Sequence, residues 1–265
     1  MKYIGLPLTF GFTIFGLLNQ LTLRKRRAAL EGKVVVITGA SSGIGEALAH
    51  AFYEQGCKVV LAARRKLELE RVKQDLMSMK LLNLTDFDHL NVFVQKVYDQ
   101  CGNIDILINN GGISYRGSIL ETKLEVDKEI MTVNYFGSVA LTKVQGLIAI
   151  PDRAAYAASK HALQAFGDSL RSEMHQHNVN VTVVSPGYIK TNISLNALTG
   201  SGSQHGAGFT PEYTASKILD GVVQKKNELV VSQFLPNLAI FLRQAAPSLY
   251  FWFMYKRAIK TSAEN

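Results

Sequence analysis

The stretch Lys33-Val34-Val35-Val36-Ile37-Thr38-Gly39-Ala40-Ser41-Ser42-Gly43-Ile44-Gly45 decides the fold. Its first six residues form a short apolar, β-branched run ended by glycine, the pattern of a strand buried on both faces. The rest is glycine and other small residues, and a helical pattern runs on from Glu46 to Gln55. A strand, a glycine-rich turn and a helix N-terminus together make an anion site, because free backbone N–H groups and the helix dipole point at whatever binds there. The spacing Gly-x-x-x-Gly-x-Gly is not the common Gly-x-Gly-x-x-Gly fingerprint. The small residues nevertheless let a pyrophosphate approach the backbone closely.

Working outward, Lys58 to Ala63 reads as a second strand, with Arg64 and Arg65 just past its end. A dinucleotide fold that prefers NAD places an acid there for the ribose 2′-hydroxyl. Arginine instead suits a 2′-phosphate bidentately, so Arg64 predicts NADP(H) as cofactor. A charged amphipathic helix over Leu67–Met79 runs almost without a loop into a short third strand, Leu81–Asp86. A further helix, Asp88–Gln100, leads to a fourth strand, Ile104–Ile108, that ends in Asn109-Asn110-Gly111-Gly112. Strands and helices alternating at this pitch predict an α/β, Rossmann-type, doubly wound parallel sheet.

Tyr156 and Lys160 are the candidate chemical pair. Four residues apart, they share one face of a helix that continues from Ala162 to His177. An unperturbed tyrosine titrates near 10, and a neighbouring ammonium favours the phenolate and lowers that value, which makes a proton-transfer device. Val179–Ser185 is the next strand. His161, His175 and His177 read as surface residues without metal spacing. The segment from Ser194 to Gly208, rich in glycine and serine, is expected to form a lid over the substrate site.

Composition narrows the rest. Cys57 and Cys101 provide neither a disulfide framework nor a metal cluster. The formal net charge is +8, of which Arg24, Lys25, Arg26 and Arg27 supply half; the remainder is too modest for nucleic-acid binding. Tyr3 to Leu23 carries no charge and has about the length of a bilayer-crossing helix, with the basic cluster directly behind it. This order is nearly the reverse of a cleaved signal peptide. A transmembrane anchor over 1–23, a basic linker over 24–32 and a catalytic domain on the cytosolic side are expected, with the lumenal orientation as alternative. A second apolar tract, Phe234–Tyr255, is broken by Pro236, Arg243 and Pro247 and should not span. Its aromatic run before Lys256-Arg257 reads as an interfacial segment, a cover for a lipid-like substrate, or core.

The set Thr38-Gly39-Ala-Ser-Ser-Gly43-Ile-Gly45, Asn109-Asn110-Gly111-Gly112, Asn134, Tyr156-x-x-x-Lys160 and Pro186-Gly187 resembles the short-chain dehydrogenase/reductases in order and spacing, over residues 33 to about 195. With the N-terminal apolar segment it resembles the membrane-bound branch that contains the dehydrogenase/reductase member 7 group. The resemblance implies a domain over 33–233, followed by an apolar C-terminal segment over 234–265. It implies catalysis by Tyr156, Lys160 and Asn134, the last supporting a proton-relay water. Its cofactor contacts would be Gly39, Ser41, Ser42, Gly43, Ile44, Gly45, Arg64, Asn83, Asn110, Gly111, Tyr156, Lys160, Ile189 and Thr191. Asn83 stands where the family usually has an aspartate that contacts adenine. The implied function is interconversion of a carbonyl and a hydroxyl on an apolar, lipid-, steroid- or retinoid-like substrate. The implied setting is the endoplasmic reticulum or a related membrane, and the resemblance allows a homodimer.

One departure is serious. Asn134 and Tyr156 lie 22 positions apart, an interval that must finish a helix, run a buried strand and turn twice. About a dozen residues for a helix, five or six for a strand and about four for each connection do not fit. In the family the strand that should lie here ends in a serine about thirteen positions before the tyrosine, and that serine bonds the substrate carbonyl. Thirteen positions before Tyr156 is Lys143. Three explanations are open: a splice or gene-model variant lacking roughly twenty residues, a pseudoenzyme that keeps the cofactor site, or substitution by Thr142 or Ser138. A disrupted strand near 138–150 is therefore expected, with Ser138–Val144 the one stretch whose β-branched, alternating character could replace it.

Overall fold

The computed structural model of the chain describes residues 5–74, 79–81, 87–115, 122–141, 154–191 and 208–264. Asn83, Thr142, Lys143, Val144 and the expected lid up to residue 207 lie outside them.

The predicted first strand is β1 (Val34–Thr38), with all five residues buried, and β2 (Lys58–Ala63) pairs with it in parallel register, Val36 opposite Val60. Buried side chains on both faces explain why these two stretches read as continuous apolar runs rather than alternating ones. On one face Ile37, Leu61 and Val35 meet Leu48 and Phe52 of α2 (Gly43–Tyr53) together with Ile218 and Leu219 of α8 (Pro211–Val223). On the other, Val34, Val36 and Val60 meet Phe93 and Val97 of α4 (Phe87–Cys101). Helices on both faces make this a doubly wound sheet.

The third strand differs from expectation. Its described part is β3 (Met79–Leu81), parallel to the end of β2 and starting two residues before the expected Leu81; the helix before it is described over α3 (Lys66–Gln74). The fourth strand is the shorter β4 (Ile106–Ile108), tied at its start by Asp105, whose carboxylate accepts from Lys33 Nζ (2.7 Å) and the Val34 N–H (2.8 Å). The lysine and the backbone donor hold the Asp105 carboxyl below its usual range.

Among the described residues the sheet comes in two pieces. One runs β3-β2-β1-β4; the other pairs β5 (Val183–Pro186) with β6 (Glu228–Val231), also parallel. The doubly wound order 3-2-1-4-5-6 requires a strand beside β4. Among the described residues none is there, and all three β4 residues are only partly buried. Ser138 does not rescue it. A single helical run comprises α5 (Leu124–Met131), a wider π-type turn over Thr132–Phe136, and α6 (Gly137–Leu141), so this half of the proposed replacement strand is helix.

The N-terminal segment is α1 (Gly5–Ala28), which runs through the basic cluster and docks on α8 by Arg27, whose guanidinium donates to Asp220 at 2.7 and 3.0 Å. Among the described residues no helix is long and apolar enough to cross a membrane. Pro7, Asn19, Gln20 and the interspersed threonines and glycines dilute the apolar character expected of a spanning segment. A cleft of about 820 Å³ lies between α1 and the domain, lined by Arg24, Arg27, Glu31 and Glu54 among others. It contains none of the predicted site residues. The C-terminal tract folds as two helices, α9 (Phe234–Ala245) and α10 (Pro247–Glu264), that pack on each other.

Candidate active site

The glycine turn is built around close backbone approaches. Gly39 has φ +64°, and a Cβ on it would lie 2.8 Å from the Gly111 Cα. A Cβ on Gly45 would lie 2.3 Å from the Gly39 carbonyl oxygen, so neither position admits a side chain. Thr38 joins the turn to the end of β4: its hydroxyl oxygen accepts from the N–H groups of Asn110 (3.0 Å) and Gly111 (2.9 Å). The Asn110 amide in turn donates to the carbonyls of Thr38 (3.1 Å) and Gly39 (3.3 Å). Thr38 is thus a positioning residue absent from the predicted contacts, although its place at the head of the motif was legible.

Ser42 is the N-cap residue of α2 in extended conformation, and its hydroxyl makes no bond to the helix. Instead Arg65 Nη2 donates to Ser42 Oγ (2.6 Å) and, with Nε, to Ser41 Oγ (2.9 and 3.2 Å). The first N–H groups of α2 therefore stay available to an anion, and a guanidinium stands beside them. Arg64, the expected contact, is exposed and makes no hydrogen bond or ion pair. Successive residues past a strand point to opposite sides, and the pair alone did not say which one turns back. Gly43 (φ +63°) opens α2 under Thr191, whose Cγ2 would lie 3.0 Å from a Cβ there. Thr191 follows the bridge between Ile189 and Phe209, so the segment after Pro186-Gly187 is brought to the glycine turn.

The catalytic candidates gather below Gly112. Asn134 is fully buried: its Oδ1 accepts from the Ile113 N–H (2.8 Å), and its Nδ2 donates to the Ile113 carbonyl (2.9 Å) and Ser159 Oγ (3.4 Å). It sits at the middle of the π-type turn, closed by the Gly137 N–H on the Thr132 carbonyl. Such single turns inside α-helices concentrate at functional sites. No periodicity in the sequence announces it. A Cβ on Gly112 would meet Asn134 Oδ1 at 3.0 Å and Lys160 Nζ at 3.8 Å, so the lysine lies under the same loop. Lys160 and Tyr156 share α7 (Ala154–Met174), with the ammonium 5.6 Å from the tyrosine ring centre. Desolvation pulls the Lys160 ammonium down to about 8, which leaves about nine tenths of it charged at pH 7. The geometry thus sets a cation beside a phenol, the arrangement needed to lower the phenol's pKa.

His161 is not a plain surface residue. Its Nδ1 lies 2.9 Å from the Ala157 carbonyl and its Nε2 3.1 Å from Arg243 Nη1, which ties α9 to the helix of Tyr156 and Lys160. His175 and His177 are exposed. Ser138, one of the two candidate replacements for the missing serine, is buried on α6 and makes no hydrogen bond to Tyr156 or Lys160. Asn83, the expected adenine contact, lies outside the described residues, as does Thr142.

Nothing in this arrangement conflicts with a nicotinamide dinucleotide. Glycines that tolerate no Cβ, uncapped helix N–H groups, Arg65 and the Tyr156–Lys160 pair line one continuous region at the C-terminal ends of β1, β2 and β4, the place where such sheets bind ligands.

Comparison with known proteins gives the family and the fold. The family model described as short chain dehydrogenase matches residues 33–145 and again 142–202. A dehydrogenase/reductase SDR family protein 7-like of Drosophila melanogaster is 47% identical, over 96% of this chain and 89% of that one. A dehydrogenase/reductase SDR family member 7B of Xenopus laevis is 44% identical, over 93% and 88%. The crystal structure of a short chain dehydrogenase/reductase from Burkholderia phymatum in complex with NAD superposes with a TM-score of 0.75 at 18% identity, covering 83% of this chain and 95% of that one. The fly alignment spans 291 positions and this chain has 265 residues, so at least 26 positions of that alignment (291 − 265) face gaps here. The two family matches overlap at 142–145, between Asn134 and Tyr156.

Proposed function

Since the chain belongs to the short chain dehydrogenase family, we propose that it is an NADP(H)-dependent oxidoreductase interconverting a carbonyl and a hydroxyl on an apolar substrate, with turnover impaired by loss of the serine-bearing strand. The observation that carries the cofactor reading is Arg65 on the Ser41 and Ser42 hydroxyls, with no acid past β2. A planar guanidinium there is matched to the charged oxygens of a 2′-phosphate, whereas a bare 2′-hydroxyl gives it only a neutral acceptor. Arg65→Ala should weaken NADPH binding roughly 10- to 100-fold and leave NADH binding within about twofold, while Arg64→Ala does much less. Titration of cofactor fluorescence against each variant checks this; equal losses for both cofactors would point to a merely structural arginine.

A bound nicotinamide would supply the hydride. The chain's part is to deliver or remove one proton at the substrate oxygen, through the Tyr156 hydroxyl. Lys160 lowers the cost of the phenolate, and Asn134 fixes the loop that both groups face. What the described residues do not offer is a second donor to polarise the carbonyl. The split sheet favours a second reading, an NADP(H)-binding protein without turnover. The two are separated by rates with NADPH on a panel of steroids, retinoids and long-chain carbonyls, beside Tyr156→Phe. The oxidoreductase reading expects a low but measurable rate that the variant lowers by at least 100-fold, with NADPH binding kept. Indistinguishable rates for the two proteins would leave only the binding function.

We further assign the protein to a membrane, the endoplasmic reticulum or a relative of it, with α1 and the Arg24–Arg27 cluster as its N-terminal attachment and the domain in the cytosol. The basic residues at the end of an apolar helix support that orientation.

A further inference from the structure

Nine of the large apolar side chains exposed in the described residues belong to the C-terminal helix pair. On α9, Phe234 and Phe241 stand on one face, 76% and 62% exposed; on α10, Phe251, Trp252 and Tyr255 are 58%, 52% and 64% exposed. Only Tyr250 turns inward to bury. Of the three readings open from sequence, core packing is thereby removed. A patch this large on a monomer marks an interaction site.

Its electrostatics say with what. Residues 234–263 contain Arg243, Lys256, Arg257 and Lys260 and no carboxylate; α1 contains Arg24 to Arg27 and no carboxylate. Of the 29 Lys and Arg residues, 21 remain outside these two segments, against 21 Asp and Glu. All but one unit of the +8 formal charge therefore sits on the two helical segments once Glu264, the last residue of α10, is counted with them. Aromatic side chains beside cations, without acids, are matched to the headgroup region of an anionic bilayer, where apolar burial and attraction to lipid phosphate and carboxylate add. Neither helix is suited to span: α9, of 12 residues, is about 18 Å long against a core of about 30 Å, and the 18-residue α10, set apart by Pro247, carries Lys256, Arg257, Lys260 and Glu264.

We propose that the α9–α10 pair is a second, interfacial membrane-docking element that lies on an anionic lipid surface by its aromatic face. The Arg243–His161 contact then holds the helix of Tyr156 and Lys160 against the docked pair. On the oxidoreductase reading above, an apolar substrate would leave the lipid next to the site. The docking itself is independent of turnover.

Trp252 is the only tryptophan of the chain, so its emission reports this face directly. The full-length protein is added from dilute detergent to vesicles of phosphatidylcholine, with or without phosphatidylserine. With the anionic vesicles, Trp252 emission should shift to the blue and be quenched by lipids brominated in their acyl chains, and roughly 0.5 M salt should weaken the effect. Phe241→Ser and Phe251→Ser, both at exposed positions, should each lower partition of the tryptophan signal roughly tenfold with unchanged circular dichroism melting. Sedimentation with vesicles while Trp252 stays unshifted and unquenched would overturn the proposal, leaving α1 as the sole attachment. A lipid-independent blue shift that tracks protein concentration and a doubled mass would overturn it too, since a second copy would then cover the face.

Discussion

Insertion between Lys143 and Val144 of a strand-forming segment of roughly twenty residues that ends in serine should raise kcat roughly 100- to 1,000-fold, the worth of one well-placed donor to a developing oxyanion. It should raise the melting temperature as well. Three observations converge on the site of insertion. The chain between Asn134 and Tyr156 is too short for the elements it must hold, the family match breaks at 142–145, and β4 has no partner on the side away from β1 among the described residues. Each backbone group that loses a strand partner costs about 1–3 kcal/mol if buried. The incomplete burial of Ile106, Leu107 and Ile108 suggests that water takes up part of that loss. The same insertion with its strand-terminal serine changed to alanine should recover the stability and not the rate. That pair of results would separate the structural role of the strand from the chemical role of the serine. If the complete insertion changed neither melting nor turnover, the reading of a missing central strand would fall.

The site was most legible where backbone geometry dictates residue type. Gly39 and Gly45 are required by contacts under 3 Å, and β1 and β2 by burial on both faces, so motif and strand pattern fixed them with little ambiguity. Placement was lost where side-chain direction decides. Arg64 and Arg65 are equivalent in charge, and only the fold tells that Arg65 turns back to Ser41 and Ser42. The early start of β3 and the late start of β4 are shifts of the kind that tertiary pairing imposes on short elements. The helix that carries Asn134 begins at Leu124, where Val126 and Ile130 turn inward and Ile130 is fully buried. The C-terminal tract read three ways at once, since aromatic content alone does not distinguish a core from an interface. Exposure did.

The π-type turn explains the second large effect, expected of Asn134→Leu. Widening the helix by one residue at Thr132–Phe136 aims Asn134 at the loop after β4, where its amide satisfies both backbone groups of Ile113 in a site with no access to water. Leucine keeps the volume and removes both bonds. Leaving the buried Ile113 N–H and carbonyl unpaired should cost about 3–5 kcal/mol, a large part of the roughly 5–15 kcal/mol that holds an ordinary domain together. For a domain of this size that is a fall of about 6–20 °C in melting temperature. Ser159→Ala removes the 3.4 Å bond on the other side of the amide and the hydroxyl's own 2.8 Å bond to the Tyr156 carbonyl, and should cost about 1–2 kcal/mol. Thermal melts of the two variants with and without NADPH give the readout. Because Asn134 fixes the loop under which Lys160 lies, the leucine variant that still folds should also lose the stabilisation that NADPH confers, while Ser159→Ala should keep it. A leucine variant melting within about 2 °C of the parent chain would mean that Ile113 finds other partners, and Asn134 would then be a neighbour of the site rather than the residue that assembles it.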